Sequence, residues 1–372
     1  MHIEKFLSYL NVEFYSGVPD SQLKALCDYL MEKYGISDKH IIAANEGNAT
    51  AMAAGYYLAT GKIPAVYMQN SGIGNMINPT ASLLHKKVYG IPCIFIVGWR
   101  GEPQVYDEPQ HIFQGEVTIK LLEDMGIKTF IVGQDTSENE IAKVMLEFEK
   151  ILKNGDSVSF IIRKNALINE NKVLYDNKYS IIREDAIECI INAVKDDIII
   201  STTGKASREL FEIREKNKQS HEKDFLTVGS MGHCSSIALS VALQKKHKKV
   251  WCIDGDGAAI MHMGAMAIIG DRKPSNLIHI LIDNCSHETV GGMPTVSDSI
   301  NWENIAFGFG YQKVFIVNDL KELKEALNVV VQTNGLTFII IRCSTGSRKD
   351  LGRPTIKAEE NKNNFMNYIC KS

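Results

Sequence analysis

Two neighbouring apolar segments of the sequence end in residues that can bind a cation. The tetrapeptide DGDG at 254–257 follows the segment VWCI, and the dipeptide DN at 283–284 follows LIHILI, with one helical pattern between them. If both segments are parallel strands, Asp256 and Asn284 lie at the same sheet edge, where such sheets bind ligands. A carboxylate and an amide oxygen suit Mg²⁺, which completes its octahedron with water and phosphate oxygens. DGDG alone could equally be a plain turn, but the second segment favours a metal site.

Glycines surround this candidate site. Gly255 and Gly257 flank Asp256, and GG at 291–292 lies beyond Asn284. Residues without a Cβ let backbone N–H groups approach a phosphate, especially near the start of a helix. The pattern therefore predicts that the ligand beside the cation carries phosphate.

A further acidic residue, in the first half of the chain, also follows an apolar segment. Glu46 comes after HIIAA and begins a stretch of small residues, NATAMAAGYYLATG, that predicts a helix. An acid in the first turn complements the helix dipole, so Glu46 on its own could be purely structural. Only its coincidence with the pattern around Asp256 and Asn284 makes a catalytic role the better interpretation.

Composition restricts the classes of partner. The 372 residues are 45% hydrophobic and 23% charged, which is typical of a globular protein of two domains. With 41 basic against 44 acidic residues, no global field recruits nucleic acid or an anionic membrane. The basic run KKHKK at 245–249 is best interpreted as a solvated turn. We expect neither a nucleic-acid partner nor a membrane partner.

The cysteines and the N-terminus indicate the compartment. Eight cysteines are scattered without a CxxC pair, several of them inside apolar segments, which suits reduced thiols in a cytoplasmic protein. The first ten residues, MHIEKFLSYL, mix acid and polar residues with apolar ones and predict an amphipathic helix rather than a signal peptide. No apolar stretch approaches the length of a membrane span.

Short β-branched segments alternate with helical patterns along the whole chain. Continuous apolar strands separated by helices indicate parallel sheets covered on both faces, so the fold class is α/β with two doubly wound domains. The Asn-rich segment 164–180 separates domain 1–163 from domain 181–372. The predicted strands are 12–16, 40–44, 63–68, 91–97, 127–132, 158–163, 197–202, 225–229, 250–254, 277–283, 311–317 and 337–343.

The GDG sequence, the helix-strand unit after it and the final Asn resemble the thiamine diphosphate motif of the thiamine diphosphate-dependent decarboxylase superfamily. The resemblance implies that Asp256, Asn284 and the main-chain carbonyl of Ser286 bind Mg²⁺. It also implies that 1–163 is a pyrimidine-binding domain and that 181–372 is a diphosphate-binding domain, with no middle domain. The double Asn usual in that motif is Asp-Asn here.

The same resemblance assigns the remaining cofactor residues. It implies that Glu46 activates the aminopyrimidine ring and that Met231, in TVGSMG at 227–232, props the cofactor into a bent form. An ordinary strand-to-helix turn with a core methionine is the alternative for that segment. It further implies a homodimer or higher homo-oligomer whose sites combine two chains. The predicted cofactor-binding residues are Glu46, Ser71, Gly72, Gly204, Lys205, Gly229, Met231, Gly255, Asp256, Gly257 and Asn284.

Local segments narrow the resemblance to phosphonopyruvate decarboxylases, with sulfopyruvate decarboxylases as the alternative. An anionic 2-oxo acid with an extra acid group calls for Arg and other donors. Each candidate could instead be structural, as a salt bridge, a loop histidine or a helix cap. The segments are GVPDS (17–21), QNSGIGN (69–75), GWRG (98–101), DEPQH (107–111), SRELF (207–211) and DLGRPT (350–355). The candidate substrate-binding residues are Asp20, Ser21, Arg100, His111 and Arg353, and the candidate catalytic residues are Glu46, Asp20 and His111.

The resemblance implies decarboxylation of 3-phosphonopyruvate to phosphonoacetaldehyde in phosphonate biosynthesis. The cofactor accepts the electron pair left by CO₂, which no side chain can do. Decarboxylation of another 2-oxo acid remains open. Two functions of other classes also remain open. The protein could be a non-catalytic diphosphate-binding subunit, or it could be a phosphotransferase, although the phosphate-loop segment GxxxxGK[ST] expected of a phosphotransferase is absent from the sequence.

Overall fold

The computed structural model describes residues 1–371, whose contacts divide into two units. The first unit is Met1–Leu174 and the second begins at Tyr175, so the division falls inside the segment 164–180. Each unit contains one six-stranded sheet. All eight cysteines are free thiols. Within residues 1–371, no helix combines the length and the apolar character needed to cross a membrane.

The sheet of the first unit is entirely parallel, with the strand order β2-β1-β3-β4-β6-β5. Both faces are covered by helices, which is why β4 and β6 are buried along their whole length. The strands are β1 (Tyr15–Gly17), β2 (His40–Ile42), β3 (Ala65–Gln69), β4 (Ile94–Gly98), β5 (Lys128–Val132) and β6 (Val158–Ile162). The helices are α1 (Ile3–Leu10), α2 (Lys24–Tyr34), α3 (Glu46–Thr60), α4 (Ile73–Pro79), α5 (Pro109–Asp124) and α6 (Glu138–Lys153).

The second unit repeats this architecture and adds a short antiparallel hairpin. Its strands are β7 (Ile198–Ser201), β8 (Asp224–Leu226), β9 (Val250–Gly255), β10 (Leu277–Asp283), the hairpin strands β11 (Ser286–His287) and β12 (Met293–Pro294), then β13 (Lys313–Val317) and β14 (Thr337–Arg342). The main sheet is parallel in the order β13-β14-β10-β9-β7-β8. The helices are α7 (Arg183–Val194), α8 (Lys205–Lys216), α9 (Cys234–Gln244), α10 (Asp256–Met261), α11 (Gly264–Arg272), α12 (Trp302–Phe309), α13 (Leu320–Gln332) and α14 (Ala358–Lys371).

The predicted fold class, two doubly wound parallel-sheet domains, is confirmed, and each of the twelve predicted segments contains or overlaps a strand. The hairpin of β11 and β12 was not predicted, and one predicted helix differs from the expectation. The single helical segment predicted between β9 and β10 is two helices, because His262 leaves the helical conformation at φ −132° and ψ 45° and ends α10. The chain then restarts a helix at Gly264 as α11.

The register between β9 and β10 determines which residues follow the two strands. Gly255 pairs with Ile282 at the carboxyl end of this parallel pair. Asp256 therefore begins α10 directly beyond β9, and Asn284 lies directly beyond β10. Ile253 and Ile282 belong to the hydrophobic core on one face of the sheet, and burying each such side chain stabilises the fold by roughly 1.5–3 kcal/mol.

Candidate active site

Glu46 has its carboxyl buried against the backbone of Gly72. Asn45 caps α3 by accepting a hydrogen bond from the Asn48 amide at 2.9 Å, which puts Glu46 in the first helical turn. Oε2 of Glu46 accepts a hydrogen bond from the Asn75 side chain at 2.7 Å. A Cβ on Gly72 would lie 2.2 Å from Oε1, so only glycine leaves room for this carboxyl.

The environment of Glu46 favours its protonated form. Burial raises the pKa of Glu46 above its ordinary value, and the hydrogen bond from Asn75 offsets only part of this effect. A carboxyl that keeps its proton closer to neutrality can donate a hydrogen bond to a ring nitrogen. This is the property expected of an acid that acts on an aminopyrimidine.

A second polar group follows other strands of the same sheet. Asp20 is fully buried, and its Oδ1 accepts a hydrogen bond from the Gln69 side chain at 2.6 Å. Gln69 in turn accepts from the Ser71 hydroxyl at 2.7 Å, and Arg100 donates to the Ser21 hydroxyl at 3.3 Å. Burial raises the pKa of Asp20, while Gln69 and Arg100 oppose the shift. The structure therefore joins Asp20 to Ser71 through Gln69, and Arg100 to Ser21, which follows Asp20 in the chain.

Arg100 is held by an acidic partner in its own loop. Nε of Arg100 donates to Oδ2 of Asp107 at 2.7 Å, and a second guanidinium nitrogen contacts Oδ1. Burial alone would raise the pKa of Asp107, but the hydrogen bonds from Arg100 and from backbone amides hold it well below its ordinary value. The positive charge of the guanidinium is thus largely offset by Asp107, and Nη1 donates to Ser21.

The other two candidate substrate residues occupy different surroundings. His111 lies in the first turn of α5, half-buried, and its carbonyl oxygen would be 1.8 Å from a Cβ on Gly101. Arg353 belongs to the second unit and is exposed in the loop after β14. Its neighbour Gly352 accepts a hydrogen bond from Arg208 at 2.6 Å, which anchors this loop to α8.

Asp256 is a buried carboxylate with little compensation. It is 3% exposed, and its Oδ2 accepts a hydrogen bond from the Thr295 hydroxyl at 2.5 Å. Burial raises the pKa of Asp256 to about 8, and the negative charge of Asp283 acts in the same direction. Asp256 takes part in no ion pair within residues 1–371. Such a group favours a bound divalent cation, because the cation supplies the missing positive charge.

The orientation of the Asn284 amide is fixed by a neighbouring ion-pair network. Its Nδ2 donates to Glu288 at 2.9 Å, and its Oδ1 accepts from the Ser286 amide at 3.1 Å. Glu288 is held by Arg183 at 2.5 Å and by Lys205 at 2.7 Å. Since the donor side of Asn284 is committed to Glu288, the oxygen is the atom available to a metal. Lys205, a candidate diphosphate contact, neutralises the carboxylate that orients Asn284.

Met231 and His287 converge on Gly257. A Cβ on Gly257 would lie 3.2 Å from the Met231 methyl and 2.9 Å from Nδ1 and Cε1 of His287. Burial lowers the pKa of His287 to about 4, so its ring is neutral at pH 7. Within residues 1–371, Nδ1 of His287 has no hydrogen-bond partner. The turn of the DGDG segment therefore packs against the candidate methionine and against a polar atom that needs a partner.

The loops before α8 and α9 depend on glycine conformations. Gly204 and Gly229 have φ values of +94° and +74°, in the left-handed region that favours glycine. The Gly229 amide donates to the Thr203 hydroxyl at 3.1 Å and so connects the two loops. In the adjacent strand β9, the position of Gly255 is open, since a Cβ there would meet only Thr202, at 4.0 Å.

The donor set as a whole fits a diphosphate group held through Mg²⁺. Asp256 and Asn284 offer one carboxylate and one oriented amide oxygen, which are hard ligands suited to this ion. His287 offers a buried polar atom that still needs a partner. Asp256, Asn284 and His287 thus each present a polar atom to which a ligand can bind.

Several functional contacts were not assigned from the sequence. Gln69 and Asn75 lie in the segment QNSGIGN, which carries the resemblance but gives no pairing. Glu288 and His287 follow the metal motif without a spacing signal of their own. Thr295 reaches Asp256 across 39 positions of sequence, and no local pattern encodes such a contact.

Comparison with known proteins gives consistent matches to both halves of the chain. A family model described as "Thiamine pyrophosphate enzyme, N-terminal TPP binding domain" matches residues 2–123, and the corresponding C-terminal TPP binding domain matches residues 202–341. Phosphonopyruvate decarboxylases of Streptomyces viridochromogenes and Streptomyces hygroscopicus are each 31% identical over 98% of this chain, and cover 93% and 92% of their own lengths. Sulfopyruvate decarboxylase of Methanosarcina acetivorans is 27% identical over 90% of this chain and 89% of its own.

Removing the Asp256 carboxylate is expected to abolish metal-dependent cofactor retention. In Asp256→Ala, calorimetric affinity for thiamine diphosphate in Mg²⁺ should fall by roughly 100-fold or more, because loss of even an outer partner of a metal ligand costs about 10–100-fold. The control is Asp271→Ala, which removes an exposed acid of α11. Undiminished affinity in Asp256→Ala would show that the metal is bound elsewhere.

The raised pKa of Glu46 predicts that the free energy of unfolding of the apo-protein depends on pH. The folded state binds this proton more tightly than the unfolded state, so the free energy of unfolding falls as pH rises from the ordinary value of 4.5 through the folded-state pKa. Glu46→Gln cannot ionise. Its melting temperature relative to that of the wild type should therefore rise as the pH increases above the ordinary value of 4.5.

The control for this series is Glu149→Gln, an exposed position of α6, whose pH profile should run parallel to the wild type. A difference of about 1 kcal/mol would move the melting temperature by roughly 2–4 °C, which calorimetry resolves. If Glu46→Gln and the wild type show the same pH slope, Glu46 is not the buried ionisable group described here.

Proposed function

The chain belongs to the thiamine pyrophosphate enzyme family, and from that premise we propose that it converts 3-phosphonopyruvate into phosphonoacetaldehyde and CO₂. Its enzyme class is that of a thiamine diphosphate-dependent carboxy-lyase of 2-oxo acids. The near-full-length similarity to phosphonopyruvate decarboxylases supports the choice of substrate. Because loss of CO₂ is irreversible in practice, the reaction would drive phosphonate biosynthesis forward.

The observation that carries the mechanism is the pair of strand-end ligands in the second unit. Asp256, the oxygen of Asn284 and the carbonyl of Ser286 would hold Mg²⁺, which in turn would bind the diphosphate. Gly255 and Gly257 carry no Cβ, which lets a phosphate approach the backbone of this turn closely. The network around Glu288 keeps the Asn284 oxygen directed to the metal rather than its NH₂ group.

The first unit supplies the acid and the polar groups for chemistry. When bound, the cofactor supplies an electron sink for the pair released as CO₂ leaves. Glu46, whose pKa is raised by burial, would form a hydrogen bond to the pyrimidine ring nitrogen of the cofactor. Asp20, whose pKa burial also raises, can hold a second proton for transfer to the product carbon. The Ser21 hydroxyl accepts from Arg100 and so keeps its proton for the carboxylate of the substrate, whereas the Ser71 proton is donated to Gln69.

Recognition of the extra acid group calls for cations. A phosphonate carries up to two negative charges, and Arg binds such groups well through its planar array of donors. Arg100 is paired with Asp107, and Arg353 is exposed. We assign Arg353 and Arg100 to the phosphonate, and His111 to the same end of the substrate. Sulfopyruvate is the second candidate, supported by the similarity to the Methanosarcina acetivorans enzyme.

The test of substrate class is steady-state kcat/KM for phosphonopyruvate, sulfopyruvate and pyruvate, measured side by side. We expect phosphonopyruvate to be preferred. Arg353→Ala should lower kcat/KM for phosphonopyruvate about ten-fold or more, since a charge-assisted contact contributes roughly 1.5–3 kcal/mol, and should leave pyruvate nearly unaffected. Arg272→Ala, which removes an exposed arginine of α11, is the control. Equal values for pyruvate in the wild type would contradict an anion-binding site.

The proposal includes a homo-oligomer in which Glu46 of one chain and Asp256 of another serve the same cofactor. Glu46→Ala and Asp256→Ala should each be inactive, and dissociating and reassociating a mixture should restore activity. Random pairing puts half of the dimers in mixed form, each with one intact site, so about a quarter of all sites should recover. If mass spectrometry shows subunit exchange and no activity returns, each site lies within one chain.

A further inference from the structure

His287 is a buried histidine beside the DGDG turn that the mechanism above does not use. It ends strand β11, where its backbone pairs with Met293 of β12, and it is 8% exposed. Its Nδ1 is completely buried and, within residues 1–371, has no hydrogen-bond partner. The pairing with β12 and the buried side chain of Met293 fix the backbone from which this ring projects.

An unpaired buried nitrogen is costly to the folded protein. More than nine in ten buried polar groups in native structures have a partner, and one that lacks a partner loses its hydration without compensation. Packing against Gly257 fixes the orientation of the ring. Nδ1 lies 2.9 Å from the position that a Cβ of Gly257 would take, so any larger residue at that position would collide with the ring.

The position of the ring indicates the kind of partner. Gly257 immediately follows Asp256, and His287 is three positions after Asn284, so Nδ1 lies against the turn that begins with one candidate metal ligand and close in sequence to the other. A phosphate oxygen at such a turn is an acceptor only. The imidazole would then carry a proton on Nδ1 and donate a hydrogen bond to that oxygen.

We infer that His287 is a positioning residue that donates a hydrogen bond from Nδ1 to the diphosphate of the bound cofactor. The inference rests on the proposed function, because it requires thiamine diphosphate to occupy this site. Gly257 leaves the space that the ring occupies. Met231, which contacts Gly257 from another loop, completes the packing around the turn.

The experiment compares His287→Leu, which removes the donor, with His287→Asn, whose amide can stand in for Nδ1. Calorimetry with Mg²⁺ measures the affinity of each protein for thiamine diphosphate and, separately, for inorganic pyrophosphate. His287→Leu should weaken both ligands by about 10-fold to 100-fold, as expected for a hydrogen bond to a charged group, and His287→Asn should restore most of the affinity. His247→Leu, an exposed histidine in the 245–249 run, is the control.

The melting temperature of the apo-protein distinguishes this role from a structural one, because replacing a structural ring would lower it. Because the unpaired nitrogen destabilises the apo-protein, His287→Leu should melt at the same or a higher temperature than the wild type. A marked fall in melting temperature would overturn the inference, since it would make the ring a structural element. Weakened binding of thiamine diphosphate with unchanged binding of pyrophosphate would overturn it too, because the contact would not be to the diphosphate.

The outcome also separates this inference from the function on which it rests. If the wild type binds no thiamine diphosphate, the proposed function fails. If the wild type binds the cofactor and His287→Leu binds it equally well, only the role of His287 fails.

Discussion

The parallel pairing of β9 with β10 is the constraint on which the candidate site depends. A slip of one residue would turn every side chain to the opposite face and would separate Asp256 from Asn284. A buried polar chain holds this register. Asp254 accepts from its neighbouring amide at 2.9 Å and lies 3.3 Å from His279 of β10, whose other nitrogen lies 2.9 Å from the Tyr311 hydroxyl. This buried chain of polar contacts thus fixes the positions of Asp256 and Asn284, which follow the two strands.

Both units place costly polar groups just beyond the ends of their strands. Burial raises the pKa of Glu46 in the first unit and of Asp256 in the second, and His287 has a nitrogen without a partner within residues 1–371. Each group lowers the stability of the protein alone, and under the proposed function each would gain a partner when the cofactor and its cation bind. Binding would then raise the free energy of unfolding.

The sequence predicted the sheets well because their strands are continuous runs of β-branched and apolar residues, a signal that is local. It also located Asp256 and Asn284, since a residue that ends a parallel strand lies at the ligand-binding edge whatever the details of packing. It missed the hairpin of β11 and β12, whose two-residue strands have no periodicity, and the helix break at His262. Side-chain partners were the least predictable feature. Gln69 reaches Asp20 across 49 positions, and such contacts are fixed only when the sheet has formed.

Under the proposed function, these two strand ends hold a cation against a diphosphate. Electron–nuclear double resonance of the wild-type protein, loaded with Mn²⁺ in place of Mg²⁺ and with thiamine diphosphate, measures this arrangement because it detects phosphorus next to the metal. We expect one Mn²⁺ bound per chain, with ³¹P hyperfine coupling from the diphosphate and oxygen ligands from the protein. Bound Mn²⁺ without ³¹P coupling, or cofactor bound without any Mn²⁺, would contradict it.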